Sequence, residues 1–158
     1  LVEMLKDALT ESSLDPGHLE LELTESVLMK DEEGITKKLH AMKETGVMLS
    51  IDDFGTGYSS LSYLKRFPID EVKIDRSFVK DITNNPDGAA IVNAILAMAH
   101  TLKLRVVAEG VETMEQAMFL VEHRCEEMQG YYFSPPLPLE AFEEMLCSGK
   151  QLTVGAPL

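Results

Sequence analysis

The sequence has no tryptophan, only two cysteines, and aromatic residues make up just 6% of it. Cys125 and Cys147 are far apart and lack metal-ligand spacing. That argues against a disulfide framework or a cysteine zinc site, and a reducing cytoplasm is the simplest setting. The histidines, His18, His40, His100 and His123, contain no pair four residues apart on a helix, which argues against a histidine zinc site. Positive charge is scarce: 14 Lys and Arg stand against 27 Asp and Glu, a net charge of −13. Such an excess repels a nucleic-acid backbone, but it leaves room for a small phosphate ligand held through cations. No apolar run approaches the length of a membrane span, and no signal peptide opens the chain. What is present is 158 residues, 45% hydrophobic and 26% charged, enough for one domain with a real core.

The chain opens inside a helical pattern, Leu1, Met4, Leu5, Ala8 and Leu9 on one face over residues 1 to 12, as though cut from something longer. Asp15-Pro16-Gly17 marks a turn. Leu19 to Thr24 alternates strictly, so the leucines share one strand face while Glu20, Glu22 and Thr24 share the other. A helix over 32–45 follows and stops at Gly46. The strand 47–53 comes next, then a short helix from about Ser60 to Arg66. The pattern continues with a strand over Glu71–Asp75, a loop at 84–88 and the most apolar helix, 89–102. A strand over 105–110 leads to a helix from a Thr113 cap to about His123, a short strand over 127–131, a Pro-rich loop and a last helix over 139–147. Residues 148–158 read as a loose tail. Strands alternating with helices predict a parallel sheet in an α/β fold, whose strand C-termini share one side and carry the chemistry.

Those ends deliver Glu22, Asp52 with Asp53, Lys73 with Asp75, Glu109 and Gln129. A single polar strand end merely faces water. Five successive polar ends, four of them acidic, point to a divalent metal, because hard cations take oxygen ligands. Glu22, Asp52, Asp53 and Glu109 suffice to anchor one ion and to share in a second, with Asp52 bridging. Two such ions suit in-line hydrolysis of a phosphate ester. Lys73 is expected to stay charged and either orient a water or neutralise phosphoryl oxygens; an ion pair with Asp75, Glu109 or Glu22 is the plainer alternative. Gln129 would fix a water or ligand, or simply be a satisfied amide. Tyr131, Tyr132 and Phe133 would stack on a base or, for at least two of them, pack in the core. Phe54-Gly55-Thr56-Gly57 is neither a P-loop nor a dinucleotide fingerprint; it reads as a mobile loop over the site or a tight turn.

Five stretches carry a resemblance: Glu22-Leu23-Thr24-Glu25-Ser26; Asp52-Asp53-Phe54-Gly55-Thr56-Gly57-Tyr58-Ser59-Ser60-Leu61; Val72-Lys73-Ile74-Asp75-Arg76-Ser77-Phe78-Val79; Val107-Ala108-Glu109-Gly110-Val111-Glu112; and Gln129-Gly130-Tyr131-Tyr132-Phe133-Ser134-Pro135-Pro136. Together they resemble the EAL family, bacterial phosphodiesterases of the second messenger cyclic di-GMP, with residues 1–147 as the C-terminal portion of the domain. The resemblance implies a TIM-like β/α barrel, here five of eight strands. It implies Mg²⁺- or Mn²⁺-dependent hydrolysis of cyclic di-GMP to linear pGpG, with two ions in a complete site. Glu22, Asp52, Asp53 and Glu109 match metal ligands; Lys73, Glu109 and Asp52 match the catalytic set, with Lys73 positioning the attacking water. Gln129, Glu25, Asp75 and Glu112 match residues around substrate or supporting the site, Glu25 steadying the loop after Asp53.

Further expectations follow from the resemblance: a homodimer, other signalling domains on the native chain, a bacterial cytoplasmic setting, no nucleic-acid polymer as partner and no membrane segment. The family's Glu-Ala-Leu signature, an Asn ligand and a phosphate-holding Arg lie upstream of the matched stretches and are not in this sequence. The expectation is therefore an enzyme portion weak or inactive alone. The alternatives are a non-catalytic cyclic di-GMP receptor, an interaction module assembling through sheet edges, and, more distantly, another metal-dependent barrel enzyme.

Overall fold

The computed structural model describes residues 1–28, 32–57 and 64–149. Five strands, β1 (Glu20–Thr24), β2 (Met48–Phe54), β3 (Glu71–Ile74), β4 (Arg105–Glu109) and β5 (Glu127–Gln129), form one sheet. They lie side by side in chain order, and every neighbouring pair is parallel. The helices are α1 (Val2–Ser12), α2 (Glu25–Leu28), α3 (Glu32–Lys43), α4 (Arg76–Lys80), α5 (Pro86–Leu102), α6 (Met114–Glu122) and α7 (Leu139–Cys147). This is the expected α/β architecture: a run of β/α units in which each strand is laid beside the last.

The strand period of two sorts the side chains. Leu49, Ile51, Val72, Ile74, Val106 and Ala108 point to one face and are almost wholly buried. They pack in one core with Leu39 and Met42 of α3, Val92, Leu96 and Ala99 of α5, and Ala117 and Leu120 of α6. Each such aliphatic side chain contributes about 1.5–3 kcal/mol on burial. The opposite face is charged, carrying Glu20 and Glu22 from β1, Glu71 and Lys73 from β3, and Arg105 and Glu109 from β4. Lys43 ties the entry of the sheet together: its Nζ donates to Asp70 Oδ2 at 2.8 Å and to the Val47 carbonyl at 3.0 Å. Asp70 Oδ2 in turn accepts from the Leu49 N–H at 2.8 Å.

The differences from expectation lie at element ends. The loop expected at 84–88 is partly helix, because Asn85 caps α5 by accepting from the Asp87 N–H and Pro86 occupies the first helical position. The strand ending at Asp75 stops at Ile74, since Asp75 instead caps the short helix α4. The strand over 127–131 ends at Gln129, and a turn follows. The helix expected from Ser60 to Arg66 falls mostly outside the described residues, as does all but the start of the tail expected at 148–158. Gly46 does end the helix before β2, with a positive φ of 94°. No described helix is long and apolar enough to cross a membrane.

Candidate active site

The C-terminal ends of β1, β2, β3 and β4 meet around one ammonium group. Lys73 Nζ lies 2.7 Å from Glu22 Oε1, 2.6 Å from Glu109 Oε1 and 3.9 Å from Asp52 Oδ1. The pairing brings the side chains within reach: Thr24 stands opposite Asp52 and Lys73 opposite Val107, and Glu22, two residues before Thr24, and Glu109, two residues after Val107, point to the same face of the sheet. Burial of Lys73 opposes its charge. The hydrogen bonds to Glu109 and Glu22 outweigh that and push its pKa up, so the ammonium is retained. Lys73 therefore stands among these acids as a donor and a positive charge.

Asp53 begins the second cluster. It has a left-handed backbone, φ 54°, a conformation that costs free energy for a residue with a Cβ and that Asp tolerates better than most. Its N–H donates to Asp52 Oδ1 at 2.9 Å. Partial desolvation, then the charges of Asp52 and Asp75, raise the Asp53 pKa, and the Asp53 and Asp75 carboxyls share a hydrogen bond. Asp75 goes the other way: desolvation opposes the charge, but hydrogen bonds from the Ser77 hydroxyl and N–H hold its carboxyl low.

Glu25, just past β1, reaches under the loop after Asp53. It is 5% exposed, and its Oε2 accepts from the Gly55 N–H at 3.2 Å and the Gly57 N–H at 3.3 Å. A Cβ at position 57 would stand 2.6 Å from Glu25 Oε1, so a side chain there would push the carboxylate aside. Gly55, with φ 98°, turns the chain above Phe78 and Ile95. Thr56 Oγ1 donates to the Asp53 carbonyl at 2.9 Å, and the Phe54 side chain is buried in the core. This loop is a held structure rather than a plain tight turn. Gln129 pairs in register with Glu109 at the edge strand β5; among the described residues its amide makes no hydrogen bond. Tyr132 and Phe133 pack edge-on against each other at 5.2 Å and lean on the core, while Tyr131 is exposed.

The arrangement matches the EAL domain family over residues 1–136. The chain belongs to the EAL domain family. It is 53% identical over 146 residues to the cyclic di-GMP phosphodiesterase NbdA of Pseudomonas aeruginosa, which covers 92% of this chain and 19% of that protein. The chain thus spans about a fifth of the curated relatives' length. Among solved structures, PaMucR phosphodiesterase in complex with c-di-GMP superposes with a TM-score of 0.87 at 48% identity, covering 90% of this chain and 57% of that one. Klebsiella pneumoniae BlrP1, solved with cyclic di-GMP and manganese, gives a TM-score of 0.80 at 38% identity over 85% of this chain and 34% of that one.

The donor set of this EAL chain fits a hard divalent cation. Every candidate ligand is a carboxylate oxygen, and the charges of Asp52 and Asp75, which add to desolvation in raising the Asp53 pKa, are what a cation would offset. Among the described residues no three His, Cys, Asp or Glu side chains already stand close enough to ligate one ion together. Glu22 and Glu109 turn instead to Lys73, which balances their charge from the centre of the group. Sequence reasoning placed Lys73 among Glu22, Asp52 and Glu109. Its suggested pairing with Asp75 is not found among the described ion pairs. Ser77 was missed; the signal was there in Asp75-x-Ser77, the pattern of a side-chain cap. The Glu112 carboxylate stands away from the Lys73 group and accepts no hydrogen bond among the described residues.

Proposed function

We propose that this chain is the C-terminal portion, residues 1–147, of an EAL domain that hydrolyses cyclic di-GMP to linear pGpG with Mg²⁺ or Mn²⁺. It would work as a homodimer in the bacterial cytoplasm, joined to other signalling domains. The observation that carries this is the Lys73 ammonium gripped by Glu22 and Glu109 beside Asp52. A retained cation held among acids is what a phosphodiesterase site needs and a solvated strand end does not.

The divalent ions, when bound, supply Lewis acidity and make water a better nucleophile near neutral pH. Glu22, Asp52, Asp53 and Glu109 would hold them. The chain's own residues do the rest. Lys73 donates to the attacking water or to a phosphoryl oxygen, fixing the line of approach and balancing the charge that grows on phosphate. Water adds across one P–O3′ bond, leaving a 5′-phosphate and a 3′-hydroxyl. Glu25 holds the 55–57 loop through its two backbone N–H groups, keeping Asp53 in its left-handed conformation. Gln129, Asp75 and Glu112 line the approach.

The test is chromatography of cyclic di-GMP incubated with the protein and Mn²⁺, beside Asp53→Asn. Linear product from the wild type and none from the variant supports the reading. Binding of cyclic di-GMP without product by a folded protein means that the upstream Glu and Asn ligands are needed, as expected of a portion weak or inactive alone, or that the domain is a receptor; adding back the upstream segment separates the two. Absence of both binding and product overturns the proposal.

A further inference from the structure

We propose that Ser77 is a positioning residue for the divalent cation, holding the Asp75 carboxyl in place beside Asp53; the inference rests on the function proposed above and adds a residue to it. Asp75 Oδ1 accepts twice from Ser77, from the N–H at 3.0 Å and from the hydroxyl. Two donors on one oxygen fix the turn of a carboxyl about its own Cβ. The carboxyl so fixed meets Asp53, and the two share a hydrogen bond. The Asp53 N–H in turn donates to Asp52 Oδ1 at 2.9 Å. Ser77, Asp75, Asp53 and Asp52 thus form one chain of contacts at the ends of β2 and β3.

The base of that chain is held from several directions. Ser77 stands in the first turn of α4, which buries Val79 completely. Two glycines let neighbouring loops press on the same turn. Gly110 has φ 70°, and a Cβ there would stand 2.5 Å from the Arg76 Cβ. A Cβ on Gly55 would stand 2.9 Å from Phe78 Cε2. Arg76 and Phe78 flank Ser77 in the chain, so its hydroxyl is carried on backbone packed on both sides. Gln116 ties the far end of α4 to α6 by donating to the Lys80 carbonyl at 3.2 Å.

Asp53 needs such a support more than its neighbours do. Glu22 and Glu109 are steadied by the Lys73 ammonium, whereas among the described residues Asp53 makes no ion pair and its carboxyl touches Asp75. Two carboxyls held together are poised for a hard cation, which takes oxygen ligands and offsets their mutual repulsion. An outer partner that orients a metal-facing group is typically worth about 10–100-fold in metal affinity. Removing the Ser77 hydroxyl leaves the Ser77 N–H on Asp75, so the cap of α4 survives while the carboxyl gains freedom to turn. A hydroxyl that served the cap alone would alter stability and leave cation affinity where it is.

The experiment is Mn²⁺ binding without nucleotide, followed by the electron paramagnetic resonance signal of the free ion. It compares the wild type with Ser77→Ala, Ser77→Thr, Asp75→Ala and the double variant, each checked for folding by circular dichroism. Ser77→Ala is expected to weaken Mn²⁺ binding by about tenfold. Ser77→Thr keeps a hydroxyl and should stay within about twofold of the wild type. Asp75→Ala should weaken binding at least as much as Ser77→Ala, and the double variant no more than Asp75→Ala alone. If Ser77→Ala binds Mn²⁺ as the wild type does, whatever its melting temperature, this inference is overturned and the phosphodiesterase reading stands. A further loss in the double variant also overturns it, because the effect would then not pass through Asp75. If the wild type holds no Mn²⁺, the metal-dependent function proposed above falls for this chain, and this inference with it.

Discussion

Lys73 carries more of the site than any other side chain. Its side chain is 10% exposed, and its ammonium is the cation that keeps Glu22 and Glu109 compatible at close range. Under the function proposed above, Lys73→Met should abolish hydrolysis of cyclic di-GMP; in EDTA it should lower stability by about 1–3 kcal/mol, since two partly buried carboxylates lose their partner. Adding Mn²⁺ should recover much of the lost stability and none of the activity; thermal melts in the two conditions, beside a product assay, check this. Glu25 acts at the same scale through the loop. Glu25→Ala removes the acceptor of two N–H groups, and the expected result is a fall in kcat together with faster proteolysis near Gly55. A variant cleaved no faster than wild type would show that the loop holds itself.

Among the elements, the loop that follows β5 depends on a close backbone approach. The Val111 N–H donates to the Gln129 carbonyl at 3.0 Å, and the Tyr132 N–H returns to the Val111 carbonyl at 3.0 Å. A Cβ on Gly130 would fall 2.1 Å from that Val111 oxygen, so Gly130→Ala should cost about 1–3 kcal/mol or more through forced backbone movement. Urea denaturation would measure it, and a loss under half a kcal/mol would contradict the geometry. Helix α6 starts with a reciprocal cap in which the Thr113 hydroxyl accepts from the Gln116 N–H and the Gln116 side chain accepts from the Thr113 N–H. Thr113→Ala is expected to cost about 1 kcal/mol. That cap was legible from Thr113 and Gln116 standing three apart. The start of α5 was less so, because Asn-Asn-Pro-Asp-Gly is equally the spelling of a loop; the Asn85 side-chain cap and Pro86 at the first helical position carry the helix three residues further back than Ala89.

Across the whole molecule, the polar face of the sheet has a second charged group below the site. Arg105 lies 3.0 Å from Glu71, 3.2 Å from Glu127 and 3.6 Å from Glu20, one guanidinium for three carboxylates. Burial of Glu71, then the charge of Glu20, pushes its pKa up to about 7, with Arg105 pulling the other way and Glu127 adding to the rise. A carboxyl whose folded pKa is raised binds its proton more tightly in the folded state. Its contribution is fully present below the unfolded value and is lost as pH rises through about 7. Stability should therefore decline between about pH 4.5 and 7 through this group, and Glu71→Gln should flatten the decline. Melting temperatures across that range decide it; a parallel decline in the variant would assign the effect elsewhere.

The sequence by itself determined the alternation of β and α, the side chains that form the core, and the succession of polar strand ends from Glu22 to Gln129. It could do so because strand and helix periods are local, and because a short motif such as Asp52-Asp53-Phe54-Gly55 keeps its residues adjacent. It could not decide where charges of distant strands balance. That Lys73 is held by Glu22 and Glu109 rather than Asp75, and that Arg105 serves three glutamates, follows from parallel register between strands many residues apart. The left-handed turn at Asp53 and the Gly110–Arg76 contact likewise exist only because packed loops over-determine them. Pairing across a sheet is a property of the assembled fold, and the electrostatics of this site belong to it.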